Sequence, residues 1–205
     1  MDKPRFLSLE SVTSTQDVAR DMPIGSIVLA DHQTTGRGRS SHRWEAPPGA
    51  ALLVSFVLPA NPLLSLAAGV AAAEACGRGV RLKWPNDLLL EGRNVGGILV
   101  EASPARAICG IGINLTWAPE GASQLDEPRD RLLERLRPAI ERWSAAPAAQ
   151  VLARWRELSD TIGKKVRVEL PDRIIVGTAN DIDDSGALLV DGVLVSAGSL
   201  SVLDG

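Results

Sequence analysis

Apolar residues recur along this chain in two kinds of short run, and both predict β-strands. In residues 6–10 apolar and polar positions alternate, which is typical of a strand with one buried face. Several continuous apolar runs are typical of strands that are buried on both faces. The pattern predicts strands at residues 6–10, 26–30, 50–58, 80–84, 87–90, 95–102 and 107–115.

Four segments carry the signals of helices instead. A capping box that begins at Ser14 predicts a short helix ending near Met22. Asn61 and Pro62 form a cap followed by proline, so the alanine- and leucine-rich segment after them is predicted as a buried helix that ends near Gly77. Amphipathic spacing predicts two further helices, at residues 128–143 and 147–160.

The remaining segments are polar or rich in turn residues. Residues 31–43 and 116–127 are predicted as loops because they show neither the alternation of a strand nor the spacing of a helix. From Lys164 onward, short apolar runs separated by turn residues predict a small β-barrel. We therefore expect an α+β protein with two domains: a mixed β-sheet with helices packed on it over residues 1–162, and a small barrel over residues 163–205.

Composition narrows the classes of function. Hydrophobic residues make up 45% of the 205 residues, and the net charge is −3. That charge argues against non-specific nucleic-acid binding, which needs a basic surface. No apolar run reaches the ~20 residues of a membrane span, and no signal core stands at the N-terminus, so we expect a cytoplasmic protein that binds no membrane. Cys76 and Cys109 lie in apolar runs and are expected to be buried thiols, whereas His32 and His42 do not have the spacing of a zinc site.

A glycine- and arginine-rich loop over residues 36–44 is the first candidate for chemistry. It matches neither the P-loop pattern nor GxGxxG, in which Ser41 would replace the third glycine. Its glycines let backbone N–H groups approach a ligand, and Arg37 and Arg39 are able to clamp a carboxylate or phosphate. Trp44 is a candidate to stack on a base. The alternative is a solvated basic loop beside a core tryptophan.

Two other features are candidates for a site. Lys83 ends an apolar strand in the run Lys83-Trp84-Pro85-Asn86-Asp87, where an ammonium group needs a partner unless it extends to water. Glycines inside the strands that contain Gly96-Gly97 and Gly110-Ile111-Gly112 indicate a flat floor for a planar molecule, or else ordinary bulges.

Taken in order, these motifs resemble those of the biotin protein ligases. The resemblance covers about Phe6 to Leu203 and rests on five segments: Ser14-Thr15-Gln16, Gln33 to Arg39, Lys83 to Asp87, Gly96 to Glu101 and Gly110 to Asn114. It implies a class II synthetase-like catalytic domain followed by an SH3-like barrel. It also implies formation of biotinyl-5′-AMP from biotin and ATP with Mg²⁺, then transfer of biotin to a lysine of a biotin carboxyl carrier protein. The enzyme would be a monomer or a homodimer without a resident metal.

The resemblance also implies roles for individual residues. Lys83, Arg37 and Arg39 would be catalytic. The biotin-binding residues would be Ser14, Thr15, Gln16, Gln33, Gly36, Arg37, Gly38, Arg39, Lys83, Gly97 and Gly112. The ATP-binding residues would be Arg37, Arg39, Trp44, Lys83, Asn86 and Asn114. Asp87 is a candidate for the base of the transfer step.

The chain departs from the family pattern at a few positions. Gln16 stands where many members have asparagine, and Ser41 and His42 stand where a glycine and an arginine are frequent. The short segment before Phe6 leaves no room for a helix-turn-helix domain, so we expect the monofunctional type that does not bind DNA.

Three alternative functions remain open from the sequence. They are a lipoate ligase, whose glycine and histidine motifs are missing, a biotin sensor without catalysis, and a nucleic-acid module in the C-terminal barrel. The last is disfavoured by the acidic residues of that segment, Asp172, Asp181, Asp183, Asp184 and Asp191.

The composition of the arginine loop predicts a lid. Residues 34–43 hold two glycines and three arginines and lack an apolar residue, so ordering them costs conformational entropy that little offsets. We expect this loop to be mobile in the free protein and ordered by biotinyl-5′-AMP.

Overall fold

In a computed structural model, which describes residues 3–39, 43–77 and 79–203, the first half of the chain forms a mixed β-sheet. Its seven strands are β1 (Phe6–Val12), β2 (Ile27–Gln33), β3 (Ala51–Pro59), β4 (Val80–Lys83), β5 (Asp87–Leu90), β6 (Arg93–Ala102) and β7 (Arg106–Asn114). They follow the order β1-β2-β3-β7-β6-β5-β4. The β1–β2 pair is parallel and every other neighbouring pair is antiparallel.

Helices cover both faces of this sheet. They are α1 (Thr15–Ala19), α2 (Leu64–Cys76), α3 (Arg129–Ser144) and α4 (Ala148–Leu158). Leu52, Val54 and Phe56 of β3 point to one face and share a core with α2, α3 and α4. Val57 points to the opposite face and packs with Ala19 of α1. The alternation of side chains along a strand therefore separates a thick apolar layer from the face on which α1 lies.

The last forty residues form a second, antiparallel sheet. Its strands are β8 (Lys165–Glu169), β9 (Ile174–Ile182), β10 (Leu188–Val190), β11 (Val193–Val195) and β12 (Ser199–Val202), in the order β11-β10-β9-β8-β12. The predicted fold class, a mixed sheet with helices followed by a small β-unit, is confirmed. Val166, Ile182 and Leu188 of the second sheet belong to the same core as Trp84. The division at residue 162 stays a prediction, because this shared core crosses it.

Local boundaries differ from the predicted ones where polar residues continue an element. β2 extends through His32 and Gln33, which were predicted as loop, because it pairs with β1 as far as Val12↔Gln33. Tertiary pairing overrides the polar composition there. The first helix ends at Ala19 rather than near Met22, and its Ser14 side chain accepts a hydrogen bond from the Gln16 N–H.

Both cysteines are free thiols in apolar surroundings, as expected. Burial raises the pKa of the Cys109 thiol to about 12. Burial also raises the pKa of Cys76 to about 12, with a further contribution from the charge of Glu127. Among the described residues, no helix is both long enough and apolar enough to cross a membrane.

Candidate active site

A cavity of about 350 Å³ opens on the α1 face of the large sheet. This volume is in the range of small-molecule sites. The cavity brings together twelve of the residues predicted for a site. These are Ser14, Thr15, Gln16, Gln33, Arg37, Gly38, Arg39, Trp44, Lys83, Asn86, Gly97 and Gly112.

One wall of the cavity is a buried polar cluster at the start of α1. Gln33 Oε1 accepts hydrogen bonds from the Thr15 N–H at 2.8 Å and from its hydroxyl at 3.0 Å. The same hydroxyl lies 2.8 Å from the Ser55 hydroxyl of β3. Gln16 donates from Nε2 to the Leu99 carbonyl at 3.0 Å, while its Oε1 is buried with no partner among the described residues. An unpaired buried acceptor costs free energy, so this wall is suited to a ligand that carries an N–H donor.

Trp44 covers the glycine floor that the sequence indicated. A Cβ atom on Gly112 would lie 2.6 Å from Trp44 Cε2, whereas one on the cross-strand partner Gly97 would lie 3.7 Å from the same ring. The glycines therefore accept a planar group, and in this structure that group is the indole of the chain itself. The sequence placed Trp44 beside a base and biotin on this floor. The indole Nε1 is buried without a partner among the described residues.

This difference between the two glycines predicts different results for alanine at each position. Gly112→Ala is expected to lower the free energy of unfolding by ~1–3 kcal/mol, because a methyl group overlaps the Trp44 ring. Gly97→Ala, the matched control, leaves an ordinary contact and is expected to change it by less than ~1 kcal/mol. Urea unfolding of both variants measures the two effects. Equal stability of the two variants would place the indole elsewhere in solution.

The β4–β5 hairpin carries Lys83 to the cavity. Lys83 Nζ donates to Asp87 Oδ2 at 3.1 Å, and the two residues are directly paired across the hairpin. Asn86 donates from Nδ2 to the Ile98 carbonyl at 2.9 Å and accepts from Arg39 Nη1 at 3.1 Å. Half-burial desolvates the Arg39 guanidinium and lowers its pKa, while the charge of Asp87 opposes that shift.

The hairpin is held from behind by the second sheet and the segment before it. Trp84 is only 1% exposed. Its backbone N–H donates to the Thr161 hydroxyl at 2.9 Å, and its indole Nε1 donates to the Gly186 carbonyl at 3.1 Å. Gly198, Ser199 and Leu200 of the second sheet complete the cavity rim.

Arg37 is bound by carboxylates of the chain itself. Its guanidinium lies 2.8 Å from Asp17 Oδ1 and 3.0 Å from Glu101 Oε1. The Gly36 carbonyl accepts a hydrogen bond from the Trp44 N–H at 3.0 Å. The backbones of Arg37 and Arg43 pair in an isolated antiparallel β-bridge. The composition of the loop predicted that little holds it in the free protein. In the structure Arg37 is held by Asp17 and Glu101, which lie outside the loop, and the composition of the loop does not show such partners.

Comparison with known proteins identifies what this arrangement belongs to. Residues 8–116 match the biotin/lipoate A/B protein ligase family, and residues 161–200 match the biotin protein ligase C-terminal domain. The biotin--[acetyl-CoA-carboxylase] ligase of Mycobacterium tuberculosis is 37% identical over 86% of this chain and 78% of its own length. The chain belongs to the biotin protein ligase family.

Two further relatives support membership of the biotin protein ligase family. The bifunctional ligase/repressor BirA of Escherichia coli is 32% identical over 85% of this chain, which spans 64% of that protein. The biotin protein ligase from Aquifex aeolicus, solved in complex with biotin and ATP, superposes with a TM-score of 0.82 at 25% identity. That comparison covers 98% of this chain and 99% of the other. As a member of this family, the chain is an ATP-dependent ligase.

Some residues that the family resemblance assigned to the site do not line the cavity. Asn114 is the last residue of β7 and lies past the glycine floor. It is 2% exposed, and its side chain donates to the Ser123 carbonyl. Gly36 supports the loop from outside the cavity, where any Cβ would overlap the Trp44 carbonyl. Ser41 and His42 lie outside the described residues.

Sequence reasoning missed other residues that line the cavity. They include Arg43, Asn94 and Gly198 to Leu200. Gly110 also lines the cavity, on one of the two strands whose glycines the sequence indicated as a floor. A Cβ atom there would come within 3.1 Å of the Gln16 side chain, so this glycine makes room for the longer residue at position 16.

Proposed function

We propose that this chain converts biotin and ATP into biotinyl-5′-AMP and then transfers biotin to a lysine of a biotin carboxyl carrier protein. The observation that carries the proposal is the cavity itself. It joins a buried polar wall, a glycine floor covered by the Trp44 indole, and the basic side chains of Lys83 and Arg39, with Arg37 held by carboxylates beside them, within about 350 Å³. A bicyclic ureido ring needs donors and acceptors at one end of its site, and a carboxylate needs cations at the other.

The first half-reaction joins two anions. The biotin carboxylate attacks the α-phosphate of ATP and pyrophosphate leaves, so this step needs charge stabilisation rather than a general base. We assign that role to Lys83 and Arg39, which reach the cavity from the hairpin and from the loop. Asp87 holds the Lys83 ammonium in place through their 3.1 Å contact.

The second half-reaction needs a neutral amine and a dry site. The acceptor lysine loses a proton, attacks the anhydride carbonyl and releases AMP. Asp87 remains the candidate base for this step. The indole of Trp44 and the loop residues Arg37 to Arg39 line the cavity, and we assign to them the exclusion of water that protects the anhydride from hydrolysis.

Mg²⁺ is best treated as part of the ATP substrate. Among the described residues, no three His, Cys, Asp or Glu side chains are grouped as a metal site. Mg²⁺ commonly binds through substrate phosphates with only one or two carboxylates of the protein. ATP as a substrate and two free thiols fit a cytoplasmic enzyme.

A labelling assay on a purified carrier domain tests the proposed function. With biotin, MgATP and the carrier, we expect pyrophosphate release and biotin on the carrier, detected by mass spectrometry. A carrier with its acceptor lysine changed to arginine is the control and should stay unlabelled. Lipoate in place of biotin tests the lipoate ligase alternative. Biotin binding without pyrophosphate release would instead identify a sensor.

A further inference from the structure

Four charged side chains close a ring beside the cavity. Arg37 contacts Asp17 of α1 at 2.8 Å and Glu101 of β6 at 3.0 Å. Arg20 contacts the same two carboxylates at 3.4 and 3.3 Å. We call Arg37 with Asp17 and Glu101 the Arg37 clamp. It ties the glycine-arginine loop to two elements that lie far from it in sequence.

The charges of the four side chains in this ring sum to zero. This limits the net positive charge with which Arg37 attracts a phosphate. Two carboxylates already occupy both terminal nitrogens of its guanidinium, so Arg37 adds little net positive charge to the cavity. Contacts from both terminal nitrogens, each to a different carboxylate, fix the orientation of the guanidinium as well as its charge. The arrangement therefore suits an arginine that holds its own backbone in place.

The backbone next to Arg37 forms part of the cavity wall. Gly38 and Arg39 line the cavity directly, and the Gly36 carbonyl binds the Trp44 N–H at 3.0 Å. The side chain of Arg37 thus fastens this backbone on one side while Trp44 fastens it on the other.

We propose that Asp17 and Glu101 are positioning residues that hold residues 36–39 as a cavity wall through Arg37, so that the acyl-adenylate is retained until an amine reaches it. The retention part rests on the proposed function, whereas the holding of the wall does not. Nothing in the family resemblance assigned Asp17 or Glu101 to the site.

The first arm of the test uses the free protein and trypsin. Trypsin has to bind the Arg37 side chain in its own specificity pocket before it cleaves after this residue. The Arg37 guanidinium must therefore first leave both carboxylates, Asp17 and Glu101. Half-exposed ion pairs of this kind change an equilibrium by up to about fivefold each, so Asp17→Asn and Glu101→Gln should each accelerate this cleavage about three- to fivefold. Glu157→Gln is the matched control, because Glu157 forms a similar exposed pair with Arg154 on α4. It should leave the rate of cleavage after Arg37 unchanged.

The second arm measures retention of biotinyl-5′-AMP. The enzyme is loaded with biotin and MgATP, and release of the adenylate into solution is followed by rapid filtration. Release should accelerate about three- to fivefold in each single variant and about tenfold in the double variant, with KM for ATP unchanged. Adding Glu101→Gln to Arg37→Gln should have little further effect, because both changes remove the same contact. Arg37→Lys, which keeps one ion pair, should recover part of the retention.

The outcomes separate the two proposals. Wild-type rates of cleavage and release in both acid variants would overturn the clamp. A several-fold lower KM for ATP in these variants would also overturn it, since it would show that the carboxylates compete with a phosphate for Arg37. If the wild type forms no adenylate, the proposed function fails, while the trypsin arm still decides whether the clamp holds the wall.

Discussion

Replacing Lys83 with methionine is expected to lower kcat/KM for biotinyl-5′-AMP formation about 100-fold, from ~3 kcal/mol of lost charge stabilisation. Methionine keeps the length of the side chain and removes its charge. Lys83 lies at the end of β4 with its side chain 25% exposed, so its ammonium is partly shielded from water, which strengthens its effect on a nearby anion. Initial rates of pyrophosphate release over a range of biotin and ATP concentrations measure the effect.

A second lysine provides the control for this variant. Lys164 forms the same kind of ion pair, 2.8 Å from an aspartate four residues away, but lies outside the cavity. Lys164→Met should therefore leave kcat/KM within about twofold of wild type, since surface ion pairs contribute little. Near wild-type pyrophosphate release by Lys83→Met would remove Lys83 from the mechanism.

A third variant distinguishes the role of the Lys83 ammonium group from the role of its partner Asp87. Asp87→Asn keeps Lys83 and weakens only the contact that orients it. If Asp87 acts by orientation in the first step, adenylate formation should fall about tenfold or less. If it is also the base of the second step, transfer of biotin to the carrier should fall further than adenylate formation. Single-turnover transfer from preformed biotinyl-5′-AMP distinguishes the two roles.

The sequence predicted the elements that carry the site better than the partners of its side chains. Strands and helices follow from periodicity within short windows, and the fold class was confirmed. The polar wall at Ser14 to Gln16 and Gln33 also lies where the motifs indicated. β2 was predicted too short because its last residues are polar, and only pairing with β1 makes them a strand.

What the sequence did not show are contacts between residues far apart along the chain. Glycines in two neighbouring strands indicate a flat floor but not which group covers it, and the structure places the Trp44 indole there. Arginines in a polar loop indicate anion binding, but Arg37 meets Glu101, sixty-four residues away, as well as Asp17. The contribution of Gly198 to Leu200 to the rim has no local signal, because it depends on how the second sheet packs.

The packing of the second sheet against Trp84 predicts the largest loss of stability among the variants. Trp84→Ala is expected to lower the free energy of unfolding by ~3–5 kcal/mol, because it leaves a cavity in the core shared by both sheets. For a chain of this size the melting temperature should then fall by about 10 °C. Differential scanning calorimetry measures this, and a loss below ~1 kcal/mol would show that Trp84 does not join the two sheets.

Trp84→Phe tests whether the same contact also positions the catalytic hairpin. Phenylalanine retains most of the buried area but loses the hydrogen bond from the indole Nε1 to the Gly186 carbonyl, at a cost of ~1–3 kcal/mol. Trp143→Phe is the matched control, because it loses a comparable bond to Glu74 on the far side of the core.

Both variants should unfold more easily. At a temperature well below either transition, only Trp84→Phe should lower kcat for adenylate formation, because Lys83 and Asn86 lie on the hairpin that Trp84 fastens. Equal activity of the two variants would limit the role of Trp84 to stability.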